Sequence, residues 1–399
     1  MKPPVRTAGG IFLGQGACLA IAYFWYFACI GAFQPYFSLY LQSLDFSASR
    51  IALLMSLGQL MRLVAPLFWG WLADHLGHRV RIIGGASAAA FASFLLLFWV
   101  RDFTGLFVSL IVLHFFWSAS LPLIDALTLG HLATHPERYG RIRLWGSIGF
   151  IAAVMAVGSS LDVWPIQAVL WISGSLLLAA LLSVAGLREI ELATSHVKVC
   201  MVQVLRQRKV VVLLATGFFM IAAHGALYVF YSIHLAAHGY SKTVIGFLWT
   251  LGVVAEILVF LVMPRLAARM PLRRILLICL ALAAVRFAVI GWGADILVLL
   301  LFAQLLHGAS FGAHHAATVA ALNRWFAPAQ QARAQALYGS VAYGAGGLSG
   351  ALLAGALWDA AGAGVTFSAA ALLALMGWLL VWRGIAPEIP PETDGWAVR

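Results

Sequence analysis

Apolar residues run in long blocks along this chain, and polar residues gather in the short intervals between them. A bilayer core is crossed by roughly 20 apolar residues in a helix. The blocks predict such helices at 17–43, 50–73, 80–100, 104–130, 144–161, 164–186, 210–236, 243–263, 274–293, 296–320, 334–357 and 363–382. The intervals carry turn formers: Asp45, Arg101 with Asp102, Asp162 with Pro165, Gly239, Asp295 and Asp359. One interval, 187–209, is longer, polar and basic. It divides the chain into a first half, 1–186, and a second half, 210–399, joined by this central loop.

Composition agrees with lipid as the main solvent. Hydrophobic residues make up 63% of the 399 positions and charged residues 10%, against roughly 25% charged in soluble domains. The net charge of +11 would suggest nucleic acid in a soluble protein, but its placement argues otherwise. With the N-terminus in the cytoplasm, 20 Lys and Arg residues fall on the cytoplasmic side, 3 fall outside (Arg50, Arg101 and Lys242), and Arg62 and Arg286 lie within spans. This positive-inside bias predicts a multi-pass protein of a bacterial inner membrane with both termini and the central loop cytoplasmic. The first apolar stretch runs past Tyr23, Trp25 and Tyr26. That is too long and bulky for a cleaved signal sequence, so it is expected to stay as the first span. Cys18, Cys29, Cys200 and Cys279 form no C-x-x-C pair, and neither a disulfide framework nor a metal site is expected.

The halves repeat. At a shift of 194, Phe46-Ser47 meets Tyr240-Ser241, Ile51 meets Ile245, Leu54 meets Leu248, Leu57-Gly58 meets Leu251-Gly252, and Arg79 meets Arg273. At a shift of 193, Trp145-Gly146-Ser147 meets Tyr338-Gly339-Ser340, and His114 meets His307. Six helices is an even number, so the copies run parallel, and parallel repeats of this kind are one transporter plan with a midplane site. The expected fold is an all-α membrane protein of twelve transmembrane helices, two parallel six-helix repeats around a central cavity.

The loop after the second span reads Gly70-Trp71-Leu72-Ala73-Asp74-His75-Leu76-Gly77-His78-Arg79. It resembles the signature of the major facilitator superfamily, in which an acid and basic residues latch the cytoplasmic ends of the helices. Gly70, Asp74, Gly77 and Arg79 fit, whereas His75 and His78 replace basic residues; the counterpart Pro264 to Arg274 keeps charge but not glycines. Three further segments, Tyr139 to Ser147, Trp249 to Glu256 and Gln304 to His307, together with the surroundings of Arg286, are similar to the proton-coupled branch that includes the 3-phenylpropionate transporters. Nucleoside and lactose permeases are cousins of that group.

Ionisable groups inside a span are expensive and tend to mark a pathway. Arg62, His224, Glu256, Arg286 and His307 fall near the middles of their spans, and Asp125 lies nearer the cytoplasm. Arg62 and Glu256 are repeat partners, 194 apart, expected to face one another. An arginine keeps its proton while a partly buried glutamate can exchange one. Glu256 and Asp125 are therefore the candidate proton-coupling groups. Arg62, Arg286 and His307 are candidates for binding substrate, with Gln34, Tyr36, His224 and Tyr228 lining the cavity. Arg141 and Arg143 form a charge cluster near Asp125. The resemblance to lactose permeases implies roles for Asp125, Glu256, Arg141 or Arg143, Arg286 and His307. Ser310 stands where those permeases carry a further acid, so that proton site is incomplete.

No G-x-x-x-x-G-K-S/T motif occurs, and neither does an H-E-x-x-H. An ATPase or a membrane enzyme has no support. The expectation is a monomeric secondary transporter with no cofactor and no bound metal, driven by the proton gradient, whose partners are a small solute, protons and the bilayer. Uptake of a small organic anion such as 3-phenylpropionate is the leading expectation. Sugar or nucleoside symport, or drug or metabolite antiport, are the alternatives.

Overall fold

The structure, a computed structural model, describes residues 9–190 and 207–386; most of the expected central loop therefore lies outside the described residues. Every described element is helical: α1 Gly9–Gln42, α2 Ala48–Leu76, α3 Arg79–Leu95, α4 Phe103–Trp117, α5 Ser120–His131, α6 Tyr139–Leu161, α7 Ala168–Ser183, α8 Arg208–Ala237, α9 Lys242–Arg269, α10 Leu272–Trp292, α11 Leu297–His307, α12 Ala313–Trp325, α13 Pro328–Tyr338 and α14 Gly347–Gly384. Wider π-helical turns, Gly308–Gly312 and Gly339–Gly346, join α11 to α12 and α13 to α14.

Among the described residues, eleven helical stretches are long and apolar enough to cross a membrane, and the last runs 52 residues, Arg333–Gly384. Gly362 divides that stretch with non-helical backbone (φ 78°, ψ −173°), a region that a glycine enters without steric cost. The expected eleventh and twelfth spans are its two arms. The expected fourth span is α4 and α5 in series. The fifth begins at Tyr139, five residues before its apolar block. Arg143 explains the extension: its guanidinium lies 4.1 Å from the ring of Phe27 and 5.3 Å from that of Tyr23, so this charged residue is accommodated within the helix.

The chain forms two compact units. The first comprises the described parts of Met1–Phe33, Ala65–Val157 and Gln167–Thr194. Within it α3 packs on α4, α5 and α7, and α1 crosses α6 at glycines. A side chain on Gly149 would strike the Phe24 backbone, and one on Gly31 the Phe150 backbone. Such small-residue contacts let helices approach closely where lipid gives no hydrophobic drive. The second unit comprises Gln34–Val64, Gly158–Ile166 and the described parts of Ser195–Arg399. Here α14 packs along α8 and α10, and α9 packs on α11. Gly225 and Gly350 meet backbone to backbone where α8 crosses α14. Two helix starts in this unit are capped by distant carboxylates. Asp162 accepts from the N–H groups of Lys242 and Thr243 at 2.7 and 3.0 Å, and Asp359 from those of Ala48 and Ser49 at 2.9 and 2.8 Å.

Candidate functional site

A polar side chain within a span finds little water and needs a protein partner. Arg286 of α10 is 0% exposed. Its Nε donates to the Ala303 carbonyl at 3.0 Å and its Nη2 to Oε1 of Gln304 at 3.2 Å, both on α11. Its Nη1 lies 3.2 Å from Nε2 of His224 on α8. The other nitrogen of that ring, Nδ1, is 2.8 Å from the Met220 carbonyl, where only an N–H suits. Nε2 therefore carries the lone pair and accepts from Arg286. The buried cation rests on a neutral imidazole, an amide and a carbonyl. Among the described residues no carboxylate lies within ion-pair distance of it.

His307, at the end of α11, brings Nε2 to 3.9 Å from Oε2 of Glu256 on α9. Its ring stacks on Phe311 at 5.1 Å and lies 5.7 Å from that of His224. The π turn after His307 sits directly on α9. A side chain on Gly308 would run into the Ala255 carbonyl, and one on Gly312 would lie 3.0 Å from Cγ of Glu256. π turns occur frequently at functional sites. Tyr228 stacks with Trp249 at 6.4 Å, and Tyr231 meets the same indole edge-on. The Arg62 guanidinium lies 5.8 Å from the centre of the Tyr343 ring, and the Tyr343 hydroxyl is 3.0 Å from Nδ1 of His315. Arg62 and Glu256 both act electrostatically on Tyr228 and Tyr343, so these repeat partners share a neighbourhood. Gln34 donates to the Tyr228 carbonyl at 3.3 Å. Tyr36 is fully buried and donates to the Lys242 carbonyl at 3.3 Å, at the corner that Asp162 caps.

Asp125 lies in the first unit. One carboxylate oxygen accepts from Tyr23 at 2.6 Å and from Tyr139 at 3.1 Å. Arg143 is within electrostatic reach of it while lying over the Tyr23 and Phe27 rings, and Arg141 is exposed. The loop bearing Gly70, Asp74, Gly77 and Arg79 is held by an Arg79–Asp74 ion pair at 3.1 Å. Glu189 adds to it by accepting from the N–H groups of Arg79 and Val80 at 2.8 Å each. Gly77 supplies the left-handed turn (φ 69°). Among the described residues no group of three or more His, Cys, Asp or Glu side chains is placed to hold a metal ion.

Several partners in these clusters escape a reading that follows ionisable residues alone. Gln304, a neutral amide one helical turn before His307, is the clearest. Tyr23, Tyr139, Trp249 and Tyr343 belong to a sequence with 50 aromatic residues, where composition does not separate a ring in a polar cluster from one facing lipid.

Residues 17–369 match the MFS_1 like family. The "Probable 3-phenylpropionic acid transporter" of Escherichia coli (strain K12) is 29% identical over 391 residues, 94% of this chain and 98% of that protein. The maltose permease of Geobacillus stearothermophilus is 38% identical over 138 residues, 34% of this chain and 35% of the permease. Among solved structures, the crystal structure of the nucleoside transporter NupG superposes with a TM-score of 0.81 at 16% identity, covering 94% of this chain and all of that one. With the all-helical, multi-span architecture, these matches place the chain in the MFS_1 like family, as a secondary transporter of the major facilitator superfamily and not an enzyme.

Proposed function

We propose that the protein moves a small, neutral, ring-bearing solute of the nucleoside or sugar class together with a proton, by alternating access across a bacterial inner membrane. The carrying observation is the commitment of Arg286. Its guanidinium already serves His224, Gln304 and Ala303, whereas the neutral groups beside it, Nε2 of Gln304 and Nδ1 of His307, have no partner among the described residues. Buried polar atoms are normally satisfied. Neutral hydrogen-bonding atoms beside Trp249, Tyr228 and Phe311 suit hydroxyl and ring edges better than a carboxylate. The maltose permease and NupG transport solutes of this kind by name. Glu256, on His307, carries the proton in this reading, with Arg62 as its repeat partner.

An aromatic carboxylate is the second reading. It draws on the 29% identity to the 3-phenylpropionic acid transporter over nearly the whole chain, and in it Arg62 or Arg286 meets the anion. Uptake of labelled nucleosides, sugars and phenylpropionate by proteoliposomes, with and without an inward proton gradient, tests both. Gradient-dependent accumulation of a nucleoside or sugar is the expected result. Accumulation of phenylpropionate alone would replace the first reading by the second.

A further inference from the structure

An apolar groove of about 310 Å³ lies in the second unit, and none of Arg286, His224, Gln304 and His307 lines it. Leu258, Val262 and Leu266 of α9 form one wall and Ile278 and Leu282 of α10 the other, with Ala309 of the π turn between them. Residues three, four and seven apart share one face of a helix. Counting on from the lining residues, Val262 leads to Arg265 and Arg269 on α9. Counting back from Ile278 leads to Arg274 on α10. Both hydrocarbon walls thus end in arginine at the same end of the groove. All three arginines are exposed, and no acidic residue occurs anywhere from Ile257 to Ala294.

The first repeat handles the equivalent loop differently. There Arg79 is paired with Asp74, and the start of α3 is capped by Glu189. The start of α10 has no side-chain cap, and Arg273 turns aside to donate to the Trp382 carbonyl at 3.0 Å. One corner therefore combines a hydrocarbon slot, three guanidinium groups that form no ion pair among the described residues, and an uncapped helix start. Arginine near the end of a span reaches toward phosphate, and basic residues at a membrane surface select anionic lipid.

We propose that this groove binds an anionic phospholipid of the adjacent leaflet, with an acyl chain between α9 and α10 and the phosphate on Arg265, Arg269 and Arg274. The site stands apart from the transport reading, and its test does not depend on any substrate.

The purified protein is given equal amounts of phosphatidylglycerol and phosphatidylcholine with identical chains, and retained lipid is read by native mass spectrometry. The wild type should retain phosphatidylglycerol preferentially. Replacing Arg265, Arg269 and Arg274 together by Gln should lower that preference at least about tenfold, since each basic group contributes severalfold. Replacing the same three by Lys should keep most of it, which separates loss of charge from loss of fold. Ala309→Phe, which fills the slot, should reduce retention of both lipids. Gln at the exposed Arg81, Arg138 and Arg188 should change nothing, and added glycerol phosphate should not compete. Equal retention of the two lipids by the wild type, undiminished preference in the Gln triple variant, an equal loss in the control triple, or displacement by glycerol phosphate would overturn the proposal.

Discussion

Asp162 and Asp359 stand at equivalent corners of the duplicated chain, and each closes the first turn of a helix from the other repeat. Asp162 follows the fifth span and caps α9 at Lys242 and Thr243; Asp359 follows the eleventh and caps α2 at Ala48 and Ser49. The capped residues are themselves 194 apart, the shift that aligns the halves. A carboxylate on the free N–H groups of a helix start meets both their donors and the positive end of the dipole. Both caps lie in one compact unit, and any state in which these corners part must break them.

Removing the caps should therefore loosen both helix starts. In Asp162→Ala with Asp359→Ala, amide hydrogen exchange at Ala48–Ile51 and Lys242–Ile245 should accelerate, with little change in the middle of α10. Exchange at wild-type rates would show that the carboxylates hold nothing at these corners.

Acid should act on the Asp162 cap in a defined direction. Partial burial raises the carboxyl's affinity for a proton, but the Thr243 hydroxyl, the N–H groups of Thr243 and Lys242 and the Lys242 charge outweigh it and hold the pKa below the usual value. The usual value is about 3.9. Because the folded pKa is the lower one, the stabilisation is complete above the unfolded value and is lost as pH falls through the folded value. The melting difference between wild type and Asp162→Asn should stay constant from about pH 5 upward and close below about pH 4. A difference that instead widens in acid would reverse the assigned sign.

Span positions are legible because lipid demands long apolar runs, and Asp162 and Asp359 are recognisable as turn residues for the same reason. That each caps a helix of the other repeat is invisible, because pairing over 80 or 311 positions is a property of packing. The π turns are equally hidden. They differ from an α-helix by one residue per turn, too little to disturb a uniformly apolar pattern, although the glycines that press them onto α9 and α8 are present in the sequence. Mid-span Arg286, His224 and His307 stand out because ionisable groups are rare there. Gln304 does not stand out, and it is Gln304 with His224 that turns an isolated arginine into a satisfied one.

The His224–Arg286 contact makes a prediction that bears on substrate. His224→Phe leaves a buried guanidinium nitrogen without its acceptor and should cost about 1–3 kcal/mol, read as a lower melting temperature in detergent. His224→Gln restores an acceptor and should cost less. Arg286→Gln should lose stability together with binding if the arginine organises the site around a neutral solute. A well-folded Arg286→Gln protein with wild-type stability that has lost only anion binding would favour the carboxylate reading.

Topology is open to a direct test. A single cysteine at Ser195, in an otherwise cysteine-free protein, should react with an impermeant maleimide only after cells are opened, because the Lys and Arg distribution predicts a cytoplasmic central loop. Labelling in intact cells would invert the orientation.

Glu256 distinguishes coupling from structural neutralisation. If it takes up and releases the coupled proton, Glu256→Gln mimics the protonated carrier permanently. Substrate should still bind, and exchange between the two sides should survive, because neither step needs a proton to leave. Net uphill uptake should fail, since the empty carrier must deprotonate before it resets. If Glu256 serves only to neutralise Arg62, the same change leaves an uncompensated charge within the membrane at a cost of several kcal/mol. Expression and binding should then both fall, and Arg62→Gln combined with Glu256→Gln should restore them. Binding, exchange and gradient-driven uptake measured on the single and double variants separate the two accounts. Wild-type uphill uptake by Glu256→Gln would reject the proton role and move the test to Asp125, whose carboxylate already holds two tyrosine hydroxyls, and to His307.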